Sequence, residues 1–209
     1  MTRIVAGTAG GRVLEVPVRG TRPTSDRVRE AVFSRLEHQG SVDGAHVLDL
    51  YAGSGALALE AMSRGADDAT LVDAARAAVE VCRRNVRALG LTRVRVAQQP
   101  AERFVREVPS RPWDLVFLDP PYDVAASELV QVLGHLAQPG ALAPEAVVVV
   151  ERRARDAEPS WPGGLGLVAR KDYGETAVYY LEPFAGADEG DDGVPGADAS
   201  AAGSVPTGS

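Results

Sequence analysis

The stretch DLVFLDPPY at residues 114–122 combines groups that can do chemistry with a rigid corner of the chain. An apolar run ends at Asp119, two prolines (Pro120 and Pro121) follow, and Tyr122 comes next. Proline fixes φ and has no backbone N–H, so a strand should end here abruptly. We expect the carbonyls of this stiff corner to lack local amide donors, which leaves them free to accept from a ligand.

This corner suits a reaction in which an exocyclic amine, carried by a planar ring, attacks a methyl group. The amine nitrogen is a poor nucleophile because its lone pair is delocalised into the ring. Two acceptors, the Asp119 carboxylate and the Pro120 carbonyl, can face its two hydrogens and return electron density to the nitrogen. Tyr122 can stack on the ring, and alignment with a methyl donor would supply most of the rate. Asp-Pro is also a common turn pair, so DPPY alone is equally typical of a plain turn.

A glycine-rich turn precedes this corner in the chain. In DLYAGSGALALE, Gly53, Gly55 and Ala58 fit G-x-G-x-x-G/A at a predicted strand-to-helix junction. Glycines let the backbone approach a ligand, and a helix N-terminus offers free N–H groups. Eighteen residues after Gly55, Asp73 ends the run ATLVD, where a carboxylate can accept both hydroxyls of a ribose. It would repel a 2′-phosphate, which argues against NADP.

Asp49 helps to choose between two cofactors that use such a turn. It lies just before the turn, where it would repel the pyrophosphate of NAD and attract a sulfonium or an amino group. This charge favours S-adenosylmethionine. An NAD-dependent dehydrogenase is the rival, but it needs an acid or base to handle the hydride, and His38, His46 and His135 are not spaced for that role. The histidines also lack the spacing of metal ligands, so no metal is expected.

Alternating patterns predict the elements that must hold these groups. Short apolar runs (HVLDLY, ATLVD, RVRVA, DLVFLD and AVVVVE) alternate with helical patterns, which indicates an α/β fold with a doubly wound, mostly parallel sheet. The segment LGLVARKDYGETAVYYLE predicts two strands joined directly, hence an antiparallel hairpin that closes the sheet edge. Asp119 then lies at the carboxyl end of the fourth strand, where open α/β sheets bind ligands.

Three segments are predicted along the chain. Residues 1–40 form an extension: RIVAG and RVLEV flank a Gly-rich turn as a hairpin, and a helix with N-cap candidates Thr24, Ser25 and Asp26 follows. Residues 41–183 form the main domain. Residues 184–209, rich in Gly, Ala, Ser, Pro and Asp, are predicted to be a disordered acidic tail.

Composition and charge limit the setting of the protein. No apolar run is long enough to cross a bilayer, the N-terminus lacks the apolar core of a signal peptide, and a single cysteine, Cys82, permits no disulfide within the chain. A cytoplasmic location is expected. The net charge is −7, but five of the acids lie in the tail, and residues 1–40 carry a net +3 from seven arginines and four acids. Such an extension can meet phosphate.

Taken together, these motifs resemble those of a known family. DLYAGSGALALEAMSRGA, the acid of LVD and DPPY resemble class I S-adenosylmethionine-dependent methyltransferases that act on the exocyclic amines of bases. RIVAGTAGGRVLEVP, TRPTSDRVREAVFSRL and KDYGETAVYYLE are more narrowly similar to the RsmD-type enzymes, over residues 3–182. The resemblance implies a Rossmann-like sheet of seven strands, with S-adenosylmethionine as co-substrate and methylation of guanine N2 in 16S rRNA.

The resemblance also implies site residues. QQPAERF stands where many relatives have Asp or Asn near the adenine, so Gln99 or the backbone around Ala101 would take that role. The implied catalytic residues are Asp119, Pro120, Pro121 and Tyr122. The cofactor-binding residues are Asp49, Gly53, Gly55, Asp73, Gln99 and Ala101.

Arginines of the extension are the predicted RNA contacts, serving register on the phosphate backbone more than base reading. They are Arg3, Arg12, Arg22, Arg27 and Arg29. Arg27 has an alternative role, at the carboxylate of the cofactor. Because a net +3 is modest for naked duplex, the expected substrate is a loop guanine on a wholly or partly assembled 30S particle, met by a monomer of this chain. The alternatives are an adenine-N6 methyltransferase on DNA or RNA, and a ribosome-assembly factor that keeps the fold without catalysis.

Overall fold

A computed structural model describes residues 2–17, 25–121 and 124–184. Two small strands, β1 and β2, pair antiparallel as the predicted hairpin, and seven strands form one sheet. The strands are β1 Thr2–Arg3, β2 Val13–Leu14, β3 His46–Leu50, β4 Asp68–Asp73, β5 Val94–Gln98, β6 Trp113–Leu118, β7 Leu142–Arg153, β8 Leu165–Tyr173 and β9 Thr176–Pro183. The helices are α1 Asp26–His38, α2 Ala56–Ser63, α3 Arg76–Leu89, α4 Ala101–Phe104 and α5 Ala126–Leu136.

The large sheet has the order β5-β4-β3-β6-β7-β9-β8. Its first five strands are parallel, while β9 runs antiparallel to β7 and to the edge strand β8. The prediction of a doubly wound sheet closed by an antiparallel hairpin is therefore confirmed. The strand order reverses at β3, since β4 and β5 lie on one side of it and β6 lies on the other. Ligands of open α/β sheets bind at such a point.

Two apolar layers cover the sheet. Leu48 and Leu50 face α4 and α5, whereas Val47 faces the layer that contains α1, α2 and α3, as the alternation of a buried parallel strand requires. Asp49 points to the same side as Val47, because its carboxylate accepts from the backbone of α2.

The N-terminal extension packs against the sheet and shares its core. Phe33 of α1 is fully buried, and its ring lies 5.6 Å from that of Phe117 in β6. Glu60 of α2, also fully buried, accepts from the Val5 and Ala6 N–H groups at 2.7 and 3.0 Å. Ser25 is the N-cap of helix α1, and its side chain accepts from the Val28 N–H. The N-cap is therefore one of the three predicted candidates.

The predicted acidic tail lies outside the described residues, apart from Phe184.

Candidate functional site

Strand register brings the predicted site residues together at the edge of the sheet formed by the carboxyl ends of the parallel strands. Leu50 of β3 pairs with Val72 of β4 on one side and with Leu118 of β6 on the other. One residue further along, Asp73 and Asp119 therefore leave their strands on either side of β3. Neighbouring strands lie about 4.8 Å apart, so the backbones of the two acids lie roughly 10 Å apart across the sheet. The glycine turn that follows β3 runs between them.

Hydrogen bonds that the Asp73 carboxylate accepts from the backbone hold the glycine turn in place. One oxygen accepts from the Gly53 N–H at 2.9 Å, and the other accepts from the Ala75 N–H at 2.8 Å. Both Gly53 and Gly55 have positive φ, +57° and +81°, and Gly55 is the N-cap of α2. The acid predicted to face a ribose is thus also a structural part of the turn. An aspartate bonded in this way still has acceptor capacity for a ligand.

The adenine-side residues lie next to Asp73. The Gln99 N–H donates to the Asp73 carbonyl at 3.0 Å, which extends the register of β5 past its last residue. Gln99 is half-buried, and Ala101 is buried as the first residue of α4. Both residues therefore stand at the same sheet edge as Asp73.

Asp49 is a buried acid at this edge with a strongly raised pKa. Its carboxylate is buried and accepts from the Ala58 N–H of α2 at 3.1 Å. The pKa of Asp49 is raised to about 8, chiefly by burial. The hydrogen bond from the Ala58 N–H opposes this shift, and repulsion from Asp119 and Asp73 adds to it. Three carboxyl groups thus converge around the glycine turn, and a positively charged ligand would favour the ionised form of Asp49 beside the other two. This set of acidic acceptors fits the sulfonium and amino group of S-adenosylmethionine.

We expect the buried Asp49 to make the ligand-free protein less stable as pH rises. Its pKa is raised from 3.8 to about 8 on folding, so the native state holds a proton that the unfolded chain has lost. The free energy of unfolding should therefore fall as pH rises through this interval, and level off above it. Urea unfolding at a series of pH values measures this slope. Asp49→Asn keeps an acceptor for Ala58 and should remove this part of the slope; an unchanged slope in the variant would show that other groups cause it.

The catalytic corner begins where β6 ends. Asp119 is half-buried, Pro120 is buried and Pro121 is half-buried. The expectation of free carbonyls is wrong for Pro121, because its carbonyl accepts from the Val124 N–H at 3.0 Å and closes a local turn. Within the described part of the chain no donor bonds the Pro120 carbonyl, the acceptor that the chemistry uses. Tyr122 lies outside the described residues.

Tyr51 belongs to this site although its role was not predicted. It lies in register between Asp73 and Asp119, with φ at +62°, which is rare for a residue other than glycine. Its hydroxyl donates to the Glu128 carboxylate at 3.2 Å, which ties the glycine turn to the first turn of α5. Burial, and then Glu128, raise the pKa of Tyr51 above its usual range, so the phenol stays protonated. A positive φ in a tyrosine leaves no sequence signal.

Asn85 of α3 is a second residue that sequence reasoning missed. Its amide nitrogen donates to the carbonyls of Glu15 and Ser54, both at 2.9 Å, and its oxygen accepts from the Glu15 N–H at 2.9 Å. One buried side chain therefore joins the end of the N-terminal hairpin to the glycine turn. Both partners are far from Asn85 in the chain, so the sequence carries no local sign of them.

The predicted RNA-contacting arginines divide into two groups. Arg3, Arg12 and Arg27 are exposed, as phosphate contact requires, and Arg22 lies outside the described residues. For Arg29 the prediction is wrong, because its side chain is fully buried. The Arg29 guanidinium donates to the Arg3 carbonyl and the Asp26 carboxylate at 2.5 and 2.8 Å, and lies 3.5 Å from Glu60. These partners offset the cost of burying the guanidinium, so Arg29 has a structural role within the fold.

Across residues 2–17, 25–121 and 124–184, no group of three or more His, Cys, Asp or Glu side chains could hold a metal ion. None of the helices in the same ranges is long and apolar enough to cross a membrane.

Comparison with known structures identifies the class of the fold. The sheet order, the glycine turn and the acid after the second parallel strand define a class I methyltransferase fold. A candidate methyltransferase of Escherichia coli, yhhF, superposes with a TM-score of 0.77 at 35% identity, covering 87% of this chain and 97% of its own. Magnesium protoporphyrin IX methyltransferase from Synechocystis, solved with bound S-adenosylmethionine, shares the fold at a TM-score of 0.59 and 15% identity, covering 76% of this chain and 79% of its own.

Sequence comparison gives the family. Residues 2–182 match the family described as Conserved hypothetical protein 95. The chain is 38% identical to Ribosomal RNA small subunit methyltransferase D of Escherichia coli K12 over 176 residues, which cover 84% of this chain and 86% of that protein. It is 33% identical to a candidate rRNA methyltransferase of Bacillus subtilis, YlbH, covering 84% of this chain and 96% of YlbH. The chain belongs to this family, that of the RsmD-type enzymes.

Proposed function

We propose that this protein transfers a methyl group from S-adenosylmethionine to the exocyclic N2 of one guanine in 16S rRNA. The observation that carries the proposal is the common sheet edge: the glycine turn, the buried Asp49 and the half-buried Asp119 all lie there. The relatives named as small-subunit rRNA methyltransferases support RNA as the methyl acceptor.

The groups of this chain divide into cofactor-binding and base-binding sets. Asp73 accepts from the ribose while it holds the turn, Gln99 and the backbone at Ala101 border the adenine, and Asp49 offsets positive charge. The bound cofactor supplies an activated methyl carbon. Gly53 and Gly55 allow the backbone to approach it closely.

Asp119 and Pro120 act on the base. The Asp119 carboxylate and the Pro120 carbonyl each accept one hydrogen of the exocyclic amine, which turns the nitrogen lone pair towards the methyl carbon. As the nitrogen–carbon bond forms and the carbon–sulfur bond breaks, one hydrogen leaves the nitrogen as a proton, and Asp119 holds it. The sequence assigns Tyr122 to stacking on the base, which fixes the angle of attack.

Position mapping of 16S rRNA tests the modification directly. RNA from cells that lack the protein should miss one N2-methylguanine, and the purified protein with S-adenosylmethionine should restore that mark in vitro. An N6-methyladenine lost instead would establish the alternative adenine chemistry. An unchanged modification pattern would leave the non-catalytic assembly factor as the better account.

The form of the substrate is tested by comparing naked 16S rRNA with 30S particles from the same cells. We propose that the particle is the better substrate, because an extension with a net charge of +3 is modest for holding naked RNA and the assembled ribosomal proteins add contacts. Single-turnover methylation should therefore be faster on particles. Equal rates on both substrates would contradict the proposed need for an assembled particle while leaving guanine methylation intact.

A further inference from the structure

The outward face of α3 carries an unusual concentration of positive charge. At 100° per residue, positions 76, 80, 83 and 87 share one side of this helix. Arginine occupies three of them, Glu80 occupies the fourth, and Arg84 lies about 70° to one side. All four arginines are exposed. We call Arg76, Arg83, Arg84 and Arg87 the α3 basic face.

Two members of this face have their charge available. Arg76 pairs with Glu80 at 2.9 Å, and Arg84 pairs with Glu15 of the hairpin at 2.7 Å. Arg83 and Arg87 make no ion pair within residues 2–17, 25–121 and 124–184, although the pKa of Glu80, lowered chiefly by Arg76, is lowered further by Arg83. An arginine without an acidic partner is a better phosphate ligand, because binding does not first have to break an ion pair.

The α3 basic face continues onto the N-terminal hairpin. The Arg12 guanidinium donates to the Ala88 carbonyl at 2.7 Å, near the end of α3, and the Arg84–Glu15 pair joins the same two elements midway along the helix. Asn85 fixes the hairpin between these points. Hairpin and helix therefore present one surface with fixed geometry.

This surface starts at the proposed active site. Helix α3 begins three residues after Asp73, and Arg76 to Arg87 span about 16 Å along its axis. RNA that presents a base near Asp119 would therefore have flanking backbone within reach of α3. The opposite face of the sheet differs in charge, since α4 and α5 and the turn between residues 105 and 107 hold Glu102, Arg103, Arg106, Glu107 and Glu128.

We infer that the α3 basic face binds the phosphate backbone of the RNA beside the target nucleotide, an inference that rests on the proposed function. The five acids after Pro183 leave residues 1–183 with a net charge of −2. Phosphate binding by such a chain requires positive charge gathered on one side, and long-range repulsion elsewhere favours docking with that side first. Arg83 and Arg87 are the two phosphate contacts that this helix adds to those of the extension.

The test uses the full chain with Arg83→Ala and Arg87→Ala combined, and 30S particles from cells that lack the protein. Each lost phosphate contact lowers the slope of log K against log salt by about 0.7–0.9, so we expect a decrease of about 1.4–1.8. Particle affinity should fall about tenfold or more at physiological salt. Affinity for S-adenosylmethionine and the single-turnover rate at saturating particle should stay at the wild-type values.

Two controls make the result specific. Arg103→Ala with Arg106→Ala removes the same charge from the opposite face and should leave the slope nearly unchanged. Arg83→Lys with Arg87→Lys keeps the charge and should restore most of it. A wild-type slope in the double alanine variant, or equal losses in the two alanine pairs, would overturn the inference. If the wild-type protein methylates no particle at all, the proposed function fails first, and this outcome is distinct from a failure of the α3 contacts alone.

Discussion

Asp119→Ala should slow methyl transfer by about 10²–10³-fold, the usual cost of removing one acceptor or donor aimed at a reacting group. Asp119 directly follows β6, which pairs with β3, the strand that leads into the glycine turn. We propose that Asp119 orients the amine. Affinity for S-adenosylmethionine should stay within a few fold, because Asp73, Asp49 and the turn itself are retained. Single-turnover methylation and titration calorimetry measure the two effects separately.

A matched variant and a second readout sharpen this experiment. Asp119→Asn keeps the size and one acceptor oxygen but loses the charge, so its rate should fall between those of the wild type and the alanine variant. Both changes remove an anion that raises the pKa of Asp49, so that pKa should decrease in each. An alanine variant that binds cofactor and turns over at normal rates would disprove the assigned role of Asp119.

Gly55→Ala should destabilise the protein and impair cofactor binding together. A Cβ on Gly55 would lie 2.5 Å from the Leu71 Cδ2 and 3.2 Å from the Leu59 Cδ1, and both leucines are fully buried. The φ of +81° adds about 1–2 kcal/mol for a residue other than glycine, and overpacking of the core adds about 1–3 kcal/mol. Urea unfolding measures the stability loss. Movement of the turn should weaken S-adenosylmethionine by about tenfold or more, which corresponds to 1.4 kcal/mol.

Gly44→Ala separates the two causes of that loss. Gly44 has a similar φ of +71°, but a Cβ there would meet no atom within 4 Å. This variant should show only the backbone cost and keep full cofactor affinity. If Gly55→Ala proves no less stable than Gly44→Ala, then the side chains around the turn yield more easily than their burial indicates.

Local patterns were enough to predict the sheet and much of the candidate site. Apolar runs that alternate with helical periods indicated the parallel strands, and strand ends then placed Asp73 and Asp119 at one edge. Arg29 could not be predicted in the same way. Its helix has an apolar face through Val28 and Val32, and the pattern assigned the arginines to the solvent side. Burial of Arg29 depends on Glu60, a partner in another helix that helical periodicity does not reveal.

The bonds of Glu60, Ser63 and Asn85 also bear on how this enzyme can be divided. Each side chain is buried, and each makes at least one hydrogen bond to the backbone of residues 5–15. A buried polar group left without its partner costs about 1–3 kcal/mol. A catalytic core that starts at residue 41 would lose several such partners, and its free energy of unfolding would fall accordingly. The extension is therefore not an interchangeable module. Grafting it onto another methyltransferase would also require transferring the buried side chains of α2 and α3 that bind it.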